Sequence, residues 1–173
     1  MDFYLTHGFA LYKTVLIMKF DLSQEIKDFP VAPNVVIKQS DLENEEEIKK
    51  YFIASKLSQN GNCLNLASVR WTKHFPGWAL FNAYSADELI GSVMTYSVTE
   101  ERSATENIFV VPSWRRKGIA KACIITALKH LKAQGQKEAS LTVRQDNKGA
   151  INLYLSLGYR MLDTMYEFSI EVE

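Results

Sequence analysis

Residues 106–120 read Glu-Asn-Ile-Phe-Val-Val-Pro-Ser-Trp-Arg-Arg-Lys-Gly-Ile-Ala, and this junction restricts the fold more than any other stretch. The apolar run before Pro112 has strand character, and proline, which has no amide proton to give to a ladder, stops it. A basic turn with one glycine follows. From about Ile119 to Gln134, Ala122, Ile125, Ala127, Leu128 and Leu131 recur at helical spacing, and Gly135 supplies the stop. A strand that re-enters as a long amphipathic helix needs a sheet for that helix to lie on, so the chain mixes α with β. The junction also constrains chemistry. The first amides of a helix have no intrahelical acceptor, and the helix dipole makes that end electropositive. Arg115, Arg116 and Lys117 stand where cations are unfavourable, which calls for an anion; the bland alternative is a basic helix start facing solvent. Gly118 and Ala120 would let phosphate oxygens approach the backbone. With a single glycine the turn is neither a Walker loop nor a dinucleotide fingerprint.

The rest of the domain alternates in the same way. Val35–Lys38 reads as a strand, and Asp41 can cap a helix over about Leu42–Leu57 whose acidic run Glu45–Glu47 suits a solvated first turn. A second helix is expected over about Leu64–His74, a hairpin from Trp78–Tyr84 and Leu89–Val98, a strand from about Ala104 to Val111, and a strand over Glu138–Val143. Lys148–Leu157 reads as a short helix ended by Gly158, and Tyr159–Val172 as two antiparallel strands or one bent strand. Residues 21–34, polar and carrying Pro30 and Pro33, read as a linker, which leaves residues 1–20 as a separate apolar segment and residues 35–173 as the domain. Residues 3–14 repeat the pattern of residues 153–164: apolar, Tyr, Leu, hydroxyl, variable, Gly, aromatic. Either an aromatic-rich chain has produced a coincidence, or residues 1–20 are the tail of an earlier domain of the same type. In the second case the apolar strand Thr14–Phe20 would seek a sheet edge, its own or a partner's.

Composition excludes several classes. The 173 residues carry 20 Lys plus Arg against 20 Asp plus Glu, a balance that argues against a chain built to grip nucleic acid. Cys63, Cys123 and three scattered histidines make neither a disulfide framework nor a metal site. No apolar run reaches the roughly 18–20 residues that span a bilayer, and no basic region precedes a long apolar core, so a soluble cytoplasmic protein without membrane partners is expected.

Arg115-Arg116-Lys117-Gly118-Ile119-Ala120 resembles the Arg/Gln-x-x-Gly-x-Gly/Ala signature of the GNAT superfamily of acyl-CoA-dependent N-acyltransferases. Val110-Val111-Pro112 and Trp114 fit the strand end ahead of it. Asn147-x-x-Ala150-Ile151-x-Leu153-Tyr154-x-x-x-Gly158-Tyr159 resembles the family's second block. The resemblance runs over about Val35–Glu173, and the N-terminal repeat resembles the end of that second block. It implies a mixed, mostly antiparallel twisted sheet flanked by helices, with splayed central strands that admit acetyl-CoA. By the same resemblance Ile108, Phe109 and Val110 would pair with the pantetheine arm. The amides of Arg116, Lys117, Gly118, Ile119, Ala120 and Lys121 would hold the pyrophosphate beside Arg115, and Asn147 would contact the arm. A β-bulge in the first of the two strands would account for the splay.

The implied activity is an N-acetyltransferase acting on a primary amine of a small molecule or peptide, by direct attack in a ternary complex. Tyr154 would serve the leaving thiolate and Glu106 the amine's proton, with His74 a spare base and a strand amide near Val110 holding the oxyanion. Trp71, Phe75, Trp78 and Tyr96 are candidates for an aromatic acceptor site, though core packing explains them as well. Thr142 stands near the position where some members that acetylate protein N-termini carry a glutamate, which weakens that reading. A non-catalytic acyl-CoA-binding module is the alternative, and a homodimer through a sheet edge or the N-terminal strand is an expected arrangement.

Overall fold

The structure is a computed structural model that describes residues 2–58 and 65–170. It contains α1 (Asp2–Thr6), β1 (Ala10–Asp21), β2 (Val35–Ser40), α2 (Glu45–Ser58), α3 (Leu66–Thr72), β3 (Ala79–Ser85), β4 (Glu88–Ser97), β5 (Arg102–Val110), α4 (Ile119–Ala133), β6 (Glu138–Arg144), α5 (Lys148–Leu157) and β7 (Arg160–Ser169). This is the mixed, mostly antiparallel α/β architecture expected. Contacts divide the chain into a unit of residues 21–139 and a unit of residues 1–20 with 140–173. Cys63 lies outside the described residues.

In the larger unit the strands follow the order β2-β3-β4-β5, each pair antiparallel. Residues 89–95 of β4 are all buried. Consecutive side chains point to opposite faces of a strand, so both faces of β4 must be covered, and α2 and α4 both pack on it. Gly91 in β4 makes the α4 contact close: a Cβ there would stand 2.9 Å from Ile119 Cγ2 and 3.1 Å from the Phe109 carbonyl oxygen. Tyr51 of α2 packs edge-on against Phe109, and Ile119, Cys123 and Ala127 of α4 complete the core.

Helix α2 starts at Glu45 rather than Leu42, and Asn44 rather than Asp41 caps it, accepting from the Glu46 amide at 2.8 Å. Leu42 is the reason. It is buried with φ at +52°, a left-handed conformation that no α-helix continues. Asp41 instead closes a local turn onto the Glu43 amide. Helix α3 begins after Asn65, whose side chain accepts from the Ser68 amide at 2.8 Å.

In the smaller unit the order is β6-β1-β7. The N-terminal strand therefore pairs within its own chain, between β6 and β7. Thr14 pairs with Tyr166 and Leu16 with Thr164, antiparallel. The sequence repeat is also a structural one. Gly8 and Gly158 both end a helix with positive φ, at +82° and +100°. The next amides, Phe9 and Tyr159, donate to Tyr4 and Tyr154 carbonyls at 3.1 and 3.0 Å. The C-terminal stretch forms one strand, Arg160–Ser169, the second of the two arrangements expected, entered through the buried Tyr159.

Val15, Leu16, Met18 and Phe20 of β1 are buried, so this strand is part of the core of its unit. Met18, 1% exposed, should cost about 2–5 kcal/mol when replaced by alanine in chemical denaturation. Tyr12→Ala, at a position 65% exposed, should cost less than about 0.5 kcal/mol.

Candidate active site

Strand β5 carries the bulge that the sequence did not reveal. Ser92 pairs with Phe109 and Met94 with Glu106, so Val93 faces both Asn107 and Ile108. Asn107 adopts φ +48°, the left-handed conformation that Asn tolerates better than other side chains, and donates its amide to the buried Tyr51 hydroxyl. The extra residue bends β5 at Ile108–Val110, the stretch expected to face the pantetheine arm. Glu106 stands just before the bend, on β5. Its carboxylate accepts from the Tyr96 hydroxyl, and burial together with that negative charge pushes the Tyr96 phenol far above its ordinary pKa. Phe75 lies 5.1 Å from the Tyr96 ring and Trp71 6.3 Å from Phe75, with Trp71 67% exposed. These rings form a partly open aromatic row whose inner member, Tyr96, also packs against the core. Trp78 is outside it, with the Lys73 ammonium 5.6 Å from its ring. His74 is tied to the Arg70 carbonyl at 2.9 Å.

After β5, Pro112–Trp114 make a short 3-10 turn, and Trp114 Nε1 donates to Glu88 at 3.3 Å. Arg115 is spent inside the protein. Its amide donates to the Pro112 carbonyl at 3.2 Å, and its guanidinium to the carbonyls of Val110 at 3.2 Å and Ser58 at 2.6 Å. It braces the turn, while Arg116 and Lys117 remain as the turn's own cations. Arg116 and Gly118 both have positive φ, at +63° and +79°. Ala122 makes the first intrahelical bond, to the Gly118 carbonyl at 3.0 Å. Among the described residues, the amides of Arg116, Lys117, Gly118, Ile119, Ala120 and Lys121 donate to no protein acceptor. Six consecutive amides at the electropositive end of a 15-residue helix suit an anion with several oxygens. The Cα face of Gly118 is not open, however. A Cβ there would stand 2.5 Å from Phe29 Cε1, so the glycine makes room for that ring as well as supplying the left-handed turn.

In the smaller unit Asn147 caps α5, its Oδ1 accepting from the Ala150 amide at 3.2 Å, which leaves its NH2 group as the donor for a ligand. Tyr154 is 6% exposed, and burial alone pushes its phenol up to about 12. Thr142 is exposed on β6. Two residues of this constellation were not expected from sequence: Tyr96 as the partner of Glu106, and Phe29. Residue spacing in β4 and β5 could have offered the first only with the bulge known.

A phenol whose folded-state pKa lies above its unfolded value of about 10 contributes stability that is complete below pH 10 and lost as pH rises towards the folded value. Thermal stability should therefore fall between pH 10 and about 12, and fall less steeply in Tyr154→Phe, as followed by circular dichroism beside a tyrosinate absorbance titration.

The sequence profile of the acetyltransferase (GNAT) family matches residues 41–159, more than half of the chain. The mycothiol acetyltransferase of Nocardiopsis dassonvillei is 32% identical over 100 residues, covering 57% of this chain and 26% of that protein. A GCN5-related N-acetyltransferase from Sphaerobacter thermophilus superposes with a TM-score of 0.78 at 17% identity, over 96% of this chain and 54% of that one. A GNAT family acetyltransferase from Elizabethkingia anophelis, solved with acetyl-CoA bound, superposes with a TM-score of 0.63 at 17% identity, over 76% of this chain and 80% of that one. Both structural likenesses are likenesses of fold. The chain thus spans about a quarter of the first relative's length and about half of the Sphaerobacter chain.

Proposed function

The chain belongs to the acetyltransferase (GNAT) family, and on that premise we propose that it moves an acetyl group from acetyl-CoA to a primary amine of a small molecule or peptide. The observation that carries this reading is the run of six uncommitted amides opening α4, a cradle that fits a diphosphate, joined to a strand whose bulge re-aims Ile108–Val110. Acetyl-CoA supplies the activated acyl group as a thioester. Amides 116–121 hold its diphosphate with help from Arg116 and Lys117, Asn147 donates to its arm, and β5 backbone groups pair with the pantetheine.

Glu106 accepts the proton that frees the amine's lone pair. Its carboxylate is held for this by the Tyr96 hydroxyl, and the Trp71–Phe75–Tyr96 row offers aromatic faces to a cationic acceptor. The amine attacks the acetyl carbon, a strand amide near Val110 steadies the oxyanion, and the C–S bond breaks as the C–N bond is completed. Tyr154 donates a hydrogen bond to the departing sulfur. With its pKa near 12 against about 8.5 for a thiol, it stabilises the thiolate without giving up its proton outright; of the two protons the ammonium nitrogen sheds, the one Glu106 takes before attack leaves to solvent, and the one lost from nitrogen after attack reaches the sulfur through water.

Titration calorimetry with acetyl-CoA tests the donor site, and thiol release against an amine panel separates a catalyst from a binding module. Tyr154→Phe should keep acetyl-CoA affinity while turnover falls about 100-fold; wild-type turnover would remove its role. Glu106→Gln should lose about 100-fold at neutral pH and recover as pH approaches the amine's own pKa, where free amine needs no base. A flat profile would exclude Glu106.

A further inference from the structure

The antiparallel pair β1·β7 carries a local two-fold axis. By the sequence repeat, residues 3–20 and 153–170 are counterparts, and the strand register respects that relation throughout. Thr14 pairs with Tyr166, and Thr164, counterpart of Thr14, pairs with Leu16, counterpart of Tyr166. Lys13 pairs with Glu167 and Asp163 with Ile17; Leu11 pairs with Phe168 and Met161 with Met18. Val15 and Met165 are counterparts of each other, and they pair directly, marking the axis. The irregularities obey it as well. Tyr12 is the extra residue of β1, and its counterpart Leu162 is that of β7. A chance likeness of composition would not carry the bulges across. Each arm, a helix end followed by a bulged strand, meets the other as two copies meet in a symmetric dimer.

The surroundings break this symmetry. Tyr154 of α5 is 6% exposed, and its counterpart Tyr4 of α1 is 45% exposed. Leu16 of β1 is 6% exposed, and Tyr166 of β7 is 46% exposed. Phe3, Leu5 and Met165 are exposed on the same side of the axis as Tyr4 and Tyr166. The backbone shows what would restore the symmetry. On its far side β1 meets β6, where the Gln145 amide donates to the Thr14 carbonyl at 3.0 Å. A strand residue turns its amide and carbonyl to one side, so Thr14 faces β6, and Tyr166 across from it faces away from β1. The pair of Leu16 and Thr164 follows in the same way. The Thr164 carbonyl on the outer edge of β7 is thus the counterpart of the Thr14 carbonyl. The Thr164 amide meets the Asp163 carboxylate at 2.7 Å rather than β1.

We propose that the outer edge of β7, with the exposed apolar residues of α1, is the seat of a second domain of this fold, which adds a strand in the role of β6 antiparallel to β7. The counterpart of the Gln145 amide in that strand donates to the Thr164 carbonyl, and the partner domain covers Tyr4 and Tyr166 as this one covers Tyr154 and Leu16. A second copy of this chain does not supply the strand, because its β6 is already flanked by its own β1. The occupant is a partner domain whose own sheet stops at that strand. The proposal rests on the fold and not on acetyl transfer, so either can fail alone.

The test uses the intact protein and a synthetic peptide of residues 136–147, the β6 strand with its flanks, which is the pattern that the counterpart edge of β1 already accepts. Labelled peptide, followed by fluorescence anisotropy, should bind with a dissociation constant on the order of 0.1 mM or tighter. At ten times that concentration it should slow hydrogen exchange of the Tyr166 amide about tenfold and leave β1 amides unchanged. A peptide N-methylated at the Gln145 position lacks the donor for the Thr164 carbonyl and should bind about tenfold more weakly. Thr164→Pro, a change that an edge strand tolerates, should weaken the unmodified peptide by about as much. The N-methylated peptide carries the test should that variant not fold. Absence of saturable binding, equal binding of the N-methylated peptide, or altered exchange in β1 in place of β7 would each overturn the proposal. Dimers of the wild type in sedimentation, with Tyr166 protected in the absence of peptide, would assign the edge to a second copy and overturn it too.

Discussion

The start of α4 is placed by an absent side chain. Gly91 lets Ile119, the first residue of the helix, sit directly on β4, and a Cβ there would have to displace the Ile119 side chain and press on the Phe109 carbonyl. With Ile119 pinned, the preceding residues must climb from the end of β5 to the helix in a short turn. Arg115 braces that turn from within through two carbonyls, and Gly118 with Arg116 supplies its two left-handed steps. The exposed row of amides follows from this geometry. A helix whose first residue is locked into the core cannot fray to satisfy its own donors, so an outside acceptor has to do so.

The same economy of backbone appears in β5. The bulge at Asn107–Ile108 is secured by the Asn107 bond to Tyr51, a residue with no exposed surface on α2. Core packing, strand bend and the position of Glu106 are thereby one arrangement. A change at Tyr51 would reach Glu106 through the bend without touching it. Tyr96 adds a direct restraint, and burial of its phenol favours the neutral form, which keeps a donor on the Glu106 carboxylate.

Elements with strong local punctuation were legible in sequence: α5 between Asn147 and Gly158, α4 between Gly118 and Gly135, the β3–β4 hairpin, and the end of β5 at Pro112. The start of α2 was not, because Asp41 and Asn44 are equally good caps by residue type and only the burial of Leu42 decides between them. Arg115 shows the same limit within the site. In the motif it is one of three cations, and in the fold its guanidinium donates to the Val110 and Ser58 carbonyls. Residues 21–34 read as a linker because Pro30 and polar residues dominate them, and their contacts with α4 depend on Lys129 and Lys132, about 100 residues further on.

By itself the sequence determined the strand–turn–helix junction, the helix-ending glycines and the repeat of residues 153–164 in residues 3–14, since each depends on backbone preferences acting over a few residues. Tertiary structure decided the interior place of β1, the bulge in β5, the pairing of Tyr96 with Glu106 and the seat of Phe29 on Gly118. Those are contacts between segments far apart in the chain, and their selection depends on which faces are already buried, a quantity that no local pattern encodes.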